Sequence, residues 1–144
     1  MLFRSRSSAR LGADLRQLDR DYRAGLRDCK RHEIVTSHEA FGYLAARYGL
    51  KQVAITGVTP EAEPTPQQLA DVVKVVRRTQ ATTVFFETLL SPRLAETVAR
   101  EVGARTAVLD PMEGLTPDEQ KRGLDYLALM RQNLTALRKA LGCR

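Results

Sequence analysis

The sequence holds no tryptophan, only four tyrosines and four phenylalanines, two histidines and two cysteines in 144 residues. No interleaved set of aromatics accompanies its basic residues, so the stacking platform of a single-stranded nucleic-acid binder is missing. No apolar run approaches the ~18 residues of a membrane-spanning helix. The opening MLFRSRSSAR lacks the apolar core of a secretory signal, which by itself sets the expectation of a cytosolic chain. A glycine-rich phosphate loop, HExxH, GxSxG and CxxC are also absent, which removes the common signatures of nucleotide binding, zincin proteolysis, serine hydrolysis and dithiol chemistry. Cys29 and Cys143 are compatible with two free thiols or one disulfide, and their number alone does not decide.

What remains is an ordinary globular composition, 43% hydrophobic and 28% charged. A single domain of this length buries roughly 68–70% of the surface its unfolded chain exposes, so neither a metal nor a disulfide is required for folding. The net charge is +6, and most of it is local: residues 1–31 carry nine Arg/Lys against four Asp. A basic segment of this kind is a candidate nucleic-acid surface, but without aromatics it reads better as a solvated helix face, and no nucleic-acid partner is expected.

Leu11, Leu15, Leu18, Tyr22 and Leu26 recur every three or four residues and predict a long first helix with one apolar face. EIVTS follows as a short strand. Thr36 and Glu39 have the spacing of a capping box for a second helix, which Gly49 and Leu50 would end in a Schellman turn. QVAITG is a second strand, and Thr65-Pro66-Gln67-Gln68 caps a third helix carrying Leu69, Val72, Val73 and Val76. TTVFFE and TAVLD are further strands on either side of a helix opened by Ser91-Pro92 and ended near Gly103. Thr116 to Glu119 is expected to cap the last helix, with Leu127, Met130, Leu134, Leu137 and Leu141 as its apolar stripe. Four strands alternating with helices imply an α/β fold, a mostly parallel four-stranded sheet flanked by helices.

In such sheets ligands bind beyond the carboxyl ends of the strands. His38, the Gly57–Glu63 loop, Glu87 and Asp110 occupy those four ends, so one imidazole and at least two carboxylates share a rim. Imidazole with carboxylate suits Zn²⁺, Mn²⁺ or Fe²⁺. Placed in a first helical turn, His38 would be held neutral by the dipole, as a metal requires. The same residues also read as a histidine that starts a helix and carboxylates that cap or pair with arginine. His32, at the other end of the first strand, reads as structural or solvent-exposed.

The segments IVTSHEAFGYLAARYGL, GVTPEAEPTPQQL, VFFETLLSPRLAETVAREVGA, VLDPMEGLT and DYLALMRQNLTALRKAL, in this order, closely resemble the C-terminal half of zinc/manganese substrate-binding proteins of ABC importers, the zinc-uptake type in particular. The resemblance covers roughly residues 10–143. It implies that residues 1–31 are the end of the helix joining two lobes and that 32–144 form the C-terminal metal-binding lobe. His38 and Asp110 are then metal ligands, with Glu87 and Glu63 as neighbouring acidic residues that orient ligands or organise loops. His rather than Glu at position 38 leans toward Zn²⁺, with Mn²⁺ as the alternative. Family members add an N-terminal lobe with two further His ligands and an export signal, so the resemblance implies a truncated C-terminal half. It also implies an extracytoplasmic location, delivery to a membrane permease and no enzymatic activity. A Cys29–Cys143 disulfide would tie the first helix to the last in an exported chain. Other readings are a small metal-dependent hydrolase with Glu87 as general base, and a remnant without function.

Overall fold

A computed structural model describes residues 2–57 and 63–144. In chain order the elements are α1 (Leu2–Gly25), β1 (Glu33–Thr36), α2 (Gly42–Arg47), β2 (Lys51–Ala54), α3 (Pro66–Thr79), β3 (Thr83–Phe86), α4 (Arg93–Val102), β4 (Arg105–Val108), α5 (Pro117–Lys121) and α6 (Tyr126–Leu141). The four strands form one parallel sheet in the order β2-β1-β3-β4. The expected α/β class and four-stranded sheet are therefore what the chain adopts.

Strand order dictates the layers. From β1 the chain moves outward to β2, whereas from β2 to β3 and from β3 to β4 it moves the other way across the sheet. Right-handed crossovers then put α2 on one face and α3 with α4 on the other. The core agrees, because successive strand residues point to opposite faces. Ile34, Phe85 and Leu109 pack with Leu18, Tyr22 and Leu26 of the α1 segment and with Leu137 and Leu141 of α6. Val35 and Val84 pack with Val73 and Val76 of α3 and Ala95, Val98 and Ala99 of α4. With both faces covered, the strands need unbroken apolar runs such as VFF.

Several local expectations hold. Thr65 forms the full capping box with Gln68, and Leu50 N–H bonds to Ala45 C=O across Gly49, whose φ is +69°. Others are corrected. Thr36 does not cap α2, because strand pairing continues past it: Ser37 N–H bonds to Phe85 C=O and Ile55 N–H to Thr36 C=O. The Thr36 hydroxyl donates instead to His38 C=O, and α2 begins only at Gly42. The capping box at Thr116 and Glu119 forms, but it caps the short α5; α6 has its own cap, Asp125 accepting from Ala128 N–H. The expected face of α1 is only half used, since Leu18, Tyr22 and Leu26 are buried while Leu11 and Leu15 are exposed. On α6 the fully buried line runs through Leu129, Asn133, Leu137 and Leu141, with Leu127, Met130 and Leu134 half-buried against the α1 side.

The helices on the first face are bolted together by polar groups. Tyr22 Oη donates to Met130 C=O at 2.6 Å, and Arg131 pairs with Asp21 at 2.6 Å, both joining α1 to α6. Asp19 accepts from Arg47 Nε and Tyr48 Oη, each at 2.8 Å, joining α1 to the α2 segment. Those donors hold the Asp19 carboxyl far below the usual range. A disulfide joins Cys29 to Cys143, beside the backbone bond from Arg31 N–H to Leu141 C=O.

Candidate metal centre

The strand order reverses between β1 and β3, and in open parallel sheets a crevice forms at that point, beyond the carboxyl ends. The pairing of Thr36 with Phe85 fixes what lies there. Two residues further on, in the same register, stand His38 and Glu87. His38 Nδ1 faces Glu87 Oε1 directly, and both side chains are about 95% buried. Asp110 lies two residues past the end of the neighbouring β4 and is 5% exposed.

Backbone hydrogen bonds, not a helix, hold His38 in place. Its carbonyl accepts from Thr36 Oγ1 at 2.8 Å, Gln52 Nε2 at 3.1 Å and Ala40 N–H at 3.1 Å. Glu39 N–H reaches Gly57 C=O, and Gln52 Oε1 accepts from Phe41 N–H. His38 therefore precedes α2 by a turn of loop and is not in the helix's first turn. The expected dipole effect therefore does not apply, and the group that the ring faces is Glu87.

Asp110 is held as tightly. Its Oδ1 accepts from Met112 N–H at 2.8 Å, closing a small turn in which Met112 adopts a φ of +66°. Its backbone N–H and C=O both bond to the Asn133 carboxamide of α6, at 2.9 and 2.8 Å.

Three buried polar atoms meet here: His38 Nδ1 and Glu87 Oε1 face each other, and Asp110 Oδ2 has no hydrogen-bond partner. Buried polar groups are nearly always satisfied, so Asp110 Oδ2 stands out as an acceptor without a donor near a buried acid–imidazole pair. Burial, Glu113 and Asp110, in that order, push the Glu87 carboxyl up to about 7. Burial also raises Asp110, against the opposing Met112 hydrogen bond, with Glu119 and Glu113 adding smaller upward contributions. Crowded, desolvated carboxylates beside an imidazole are what a divalent cation relieves, and the N,O,O donor set suits a borderline one. Among the described residues, however, no group of three or more His, Cys, Asp and Glu is disposed to hold a metal together. The chain brings His38 onto Glu87 with Asp110 nearby, a partial donor set.

Glu63 is elsewhere. It is exposed and lines a separate cleft of about 310 Å³ with Gly57, Pro64, Gln68 and Asp71. The rest of the Gly57–Glu63 loop, residues 58–62, lies outside the described residues. His32 is exposed at the opposite end of β1, as expected. Sequence reasoning missed Gln52, Glu113 and Asn133; only Asn133, a polar residue four from Leu129 and four from Leu137 on one helix, left a periodic signal.

Residues 5–140 match the model of the family described as ZnuA, zinc-uptake complex component A, periplasmic. The chain belongs to this family. It is 48% identical over 124 residues to the zinc-binding protein AdcA of Streptococcus pyogenes, covering 86% of this chain and 24% of that one. It is 43% identical over 129 residues to the high-affinity zinc uptake system protein ZnuA of Bacillus subtilis, covering 90% and 40%. Among solved structures, the Zn(II)-bound ZnuA-like domain of Streptococcus pneumoniae AdcA superposes with a TM-score of 0.79 at 40% identity, over 95% of this chain and 51% of that one. The chain thus spans a quarter to two-fifths of the length of these curated ZnuA-family relatives.

Proposed function

We propose that this chain is the C-terminal metal-binding lobe of a zinc-binding solute-binding protein serving an ABC importer, with His38 and Asp110 as its ligands. The observation that carries this reading is the buried His38–Glu87 pair with Asp110 nearby, whose Oδ2 is left without a partner, beyond the carboxyl ends of the sheet. Zn²⁺ is the cargo. It is favoured over Mn²⁺ because the nitrogen donor is softer than a carboxylate. Glu87 orients the ligand: by facing Nδ1 it leaves the other ring nitrogen of His38 for the ion, the usual division of labour in carboxylate–histidine–metal sets. Asp110 supplies negative charge against the cation.

The role is capture and release, not catalysis. The hydrolase alternative needs Glu87 free to take a proton from water, whereas here it is turned to the imidazole. Zinc sites ordinarily take four ligands, so His38 and Asp110 make up half a set, and in this reading a second lobe supplies further donors. Residues 1–31, whose helix leaves Leu11 and Leu15 exposed, serve as the near end of the helix between lobes, with 32–144 as the lobe itself. The partner that receives the metal is the membrane permease of the importer, and the location is extracytoplasmic. A Cys29–Cys143 disulfide accords with an oxidising compartment.

The test is a thermal melt with and without Zn²⁺. Ligand at 100-fold over Kd stabilises a native state by about 2.7 kcal/mol. Wild type should show a zinc-dependent rise in Tm that His38→Ala and Asp110→Ala both lose. Equal responses in all three proteins would refute the assignment.

A further inference from the structure

We infer that Asn133 is the positioning residue of this site: its side-chain amide clamps the backbone of Asp110 and thereby fixes the carboxylate that meets the metal. The inference rests on the proposed function and deepens it. Asn133 is 3% exposed in the buried line of α6, where an aliphatic side chain would serve packing equally well. Its Oδ1 accepts from Asp110 N–H at 2.9 Å and its Nδ2 donates to Asp110 C=O at 2.8 Å. A carboxamide that spends its acceptor and a donor on one residue's backbone mimics a β-ladder pair, and it does so beyond the end of β4, where the ladder has stopped.

The clamp matters because of what it leaves over. With the backbone of Asp110 fixed and Oδ1 engaged by Met112 N–H, rotation of the carboxylate is restricted and Oδ2 remains without a partner. Met112, left-handed at φ +66°, is a conformation that persists only where surrounding bonds over-determine it. The support runs deeper, since α6 is itself tied to α1 through Met130 C=O and Arg131. Asp110 is thus held by a rigid helix as well as by its own turn. Metal-site supports of this kind commonly contribute 10–100-fold to affinity.

The experiment compares Asn133→Ala with Leu137→Ala, a core change one turn along the same helix. Two readouts are taken: amide hydrogen exchange at Asp110 in metal-free protein, and Zn²⁺ affinity by chelator competition. Asn133→Ala should speed exchange at Asp110 at least tenfold relative to the amides of β3, and weaken Zn²⁺ binding 10–100-fold. Leu137→Ala should lower Tm while leaving affinity within twofold. Asn133→Ser, too short to clamp, provides the same comparison if the alanine variant does not fold. Unchanged exchange at Asp110, or an equal loss of affinity in Leu137→Ala, would overturn the positioning role. Wild-type binding that Asp110→Ala abolishes but Asn133→Ala preserves would overturn this inference alone. A wild type insensitive to Zn²⁺ would overturn the functional reading and this inference with it.

Discussion

Glu87 carries the largest conflict at the scale of single residues: a carboxylate only 3% exposed, with other acids close by. Its pKa of about 7 in the native state exceeds its ordinary value of 4.5. Between those values the folded chain retains a proton that the unfolded chain has released, so stability falls as pH rises through that window. At 1.36 kcal/mol per unit, the loss is at most about 3 kcal/mol. Urea midpoints of metal-free wild type should therefore decline from about pH 5 to pH 8. Glu87→Gln should flatten much of the slope, leaving the part that Asp110 contributes in the same direction; parallel wild-type and variant curves would mean that Glu87 does not titrate in this range. Saturating Zn²⁺ should reverse the trend, because the ion competes with protons for the site. His38, Glu87 and Asp110 were legible as residues at strand ends, since the strand-end rule needs only the alternation of elements. That Glu87 faces His38 was not legible, because it depends on which strands pair and in what register.

At the scale of elements, helix ends separate what local chemistry decides from what tertiary pairing overrides. The boxes at Thr65 and Thr116 form as the sequence spells them, because each is complete within four residues. The equivalent spelling at Thr36 fails, because β3 and the residues after β2 claim the backbone there first. The split of the last helical region into α5 and α6 was missed for a related reason. The expected stripe from Leu127 to Leu141 lies wholly within α6, but it was joined to the Thr116 cap across Gly123 at φ +64° and the Asp125 cap, which impose a break. Two left-handed residues at helix ends offer a matched test. Gly49 sits at φ +69° with open space where a Cβ would go, so Gly49→Ala should cost about 1–2 kcal/mol through backbone conformation alone. Gln80 occupies the same left-handed region at φ 55°, and Gln80→Gly should be neutral or stabilising by up to about 1 kcal/mol. Denaturant titrations of the two variants check both signs, and a Gly49→Ala protein as stable as wild type would show that this turn tolerates a side chain.

At the scale of the whole molecule, the polar bolts and the disulfide gather on one face and one end. The Cys29–Cys143 bond closes a loop across a sequence separation of 114 residues. Constraining a loop of that length in the unfolded chain is worth about 4–5 kcal/mol in the chain-entropy account, and removing native disulfides costs 2–5 kcal/mol. Cys29→Ser with Cys143→Ser should lose stability on that scale in an oxidising buffer, and wild type should approach the variant when reduced. Free-thiol titration of oxidised wild type finding two reactive thiols would remove the bond and this prediction together. The parallel sheet was readable from the sequence, but its order was not. Short strands of similar composition do not encode who their neighbours are, and the sheet order is what brings the ends of β1 and β3 together.

The disulfide lies where α6 ends, near the amino ends of the strands, whereas His38, Glu87 and Asp110 lie past the carboxyl ends. A four-residue strand separates those ends by ~13 Å. Breaking the bond would loosen the amino end of the sheet without touching His38, Glu87 or Asp110. Redox conditions would then govern how long each copy survives proteases and turnover, while on the proposed function the supply of metal would govern whether that copy is loaded.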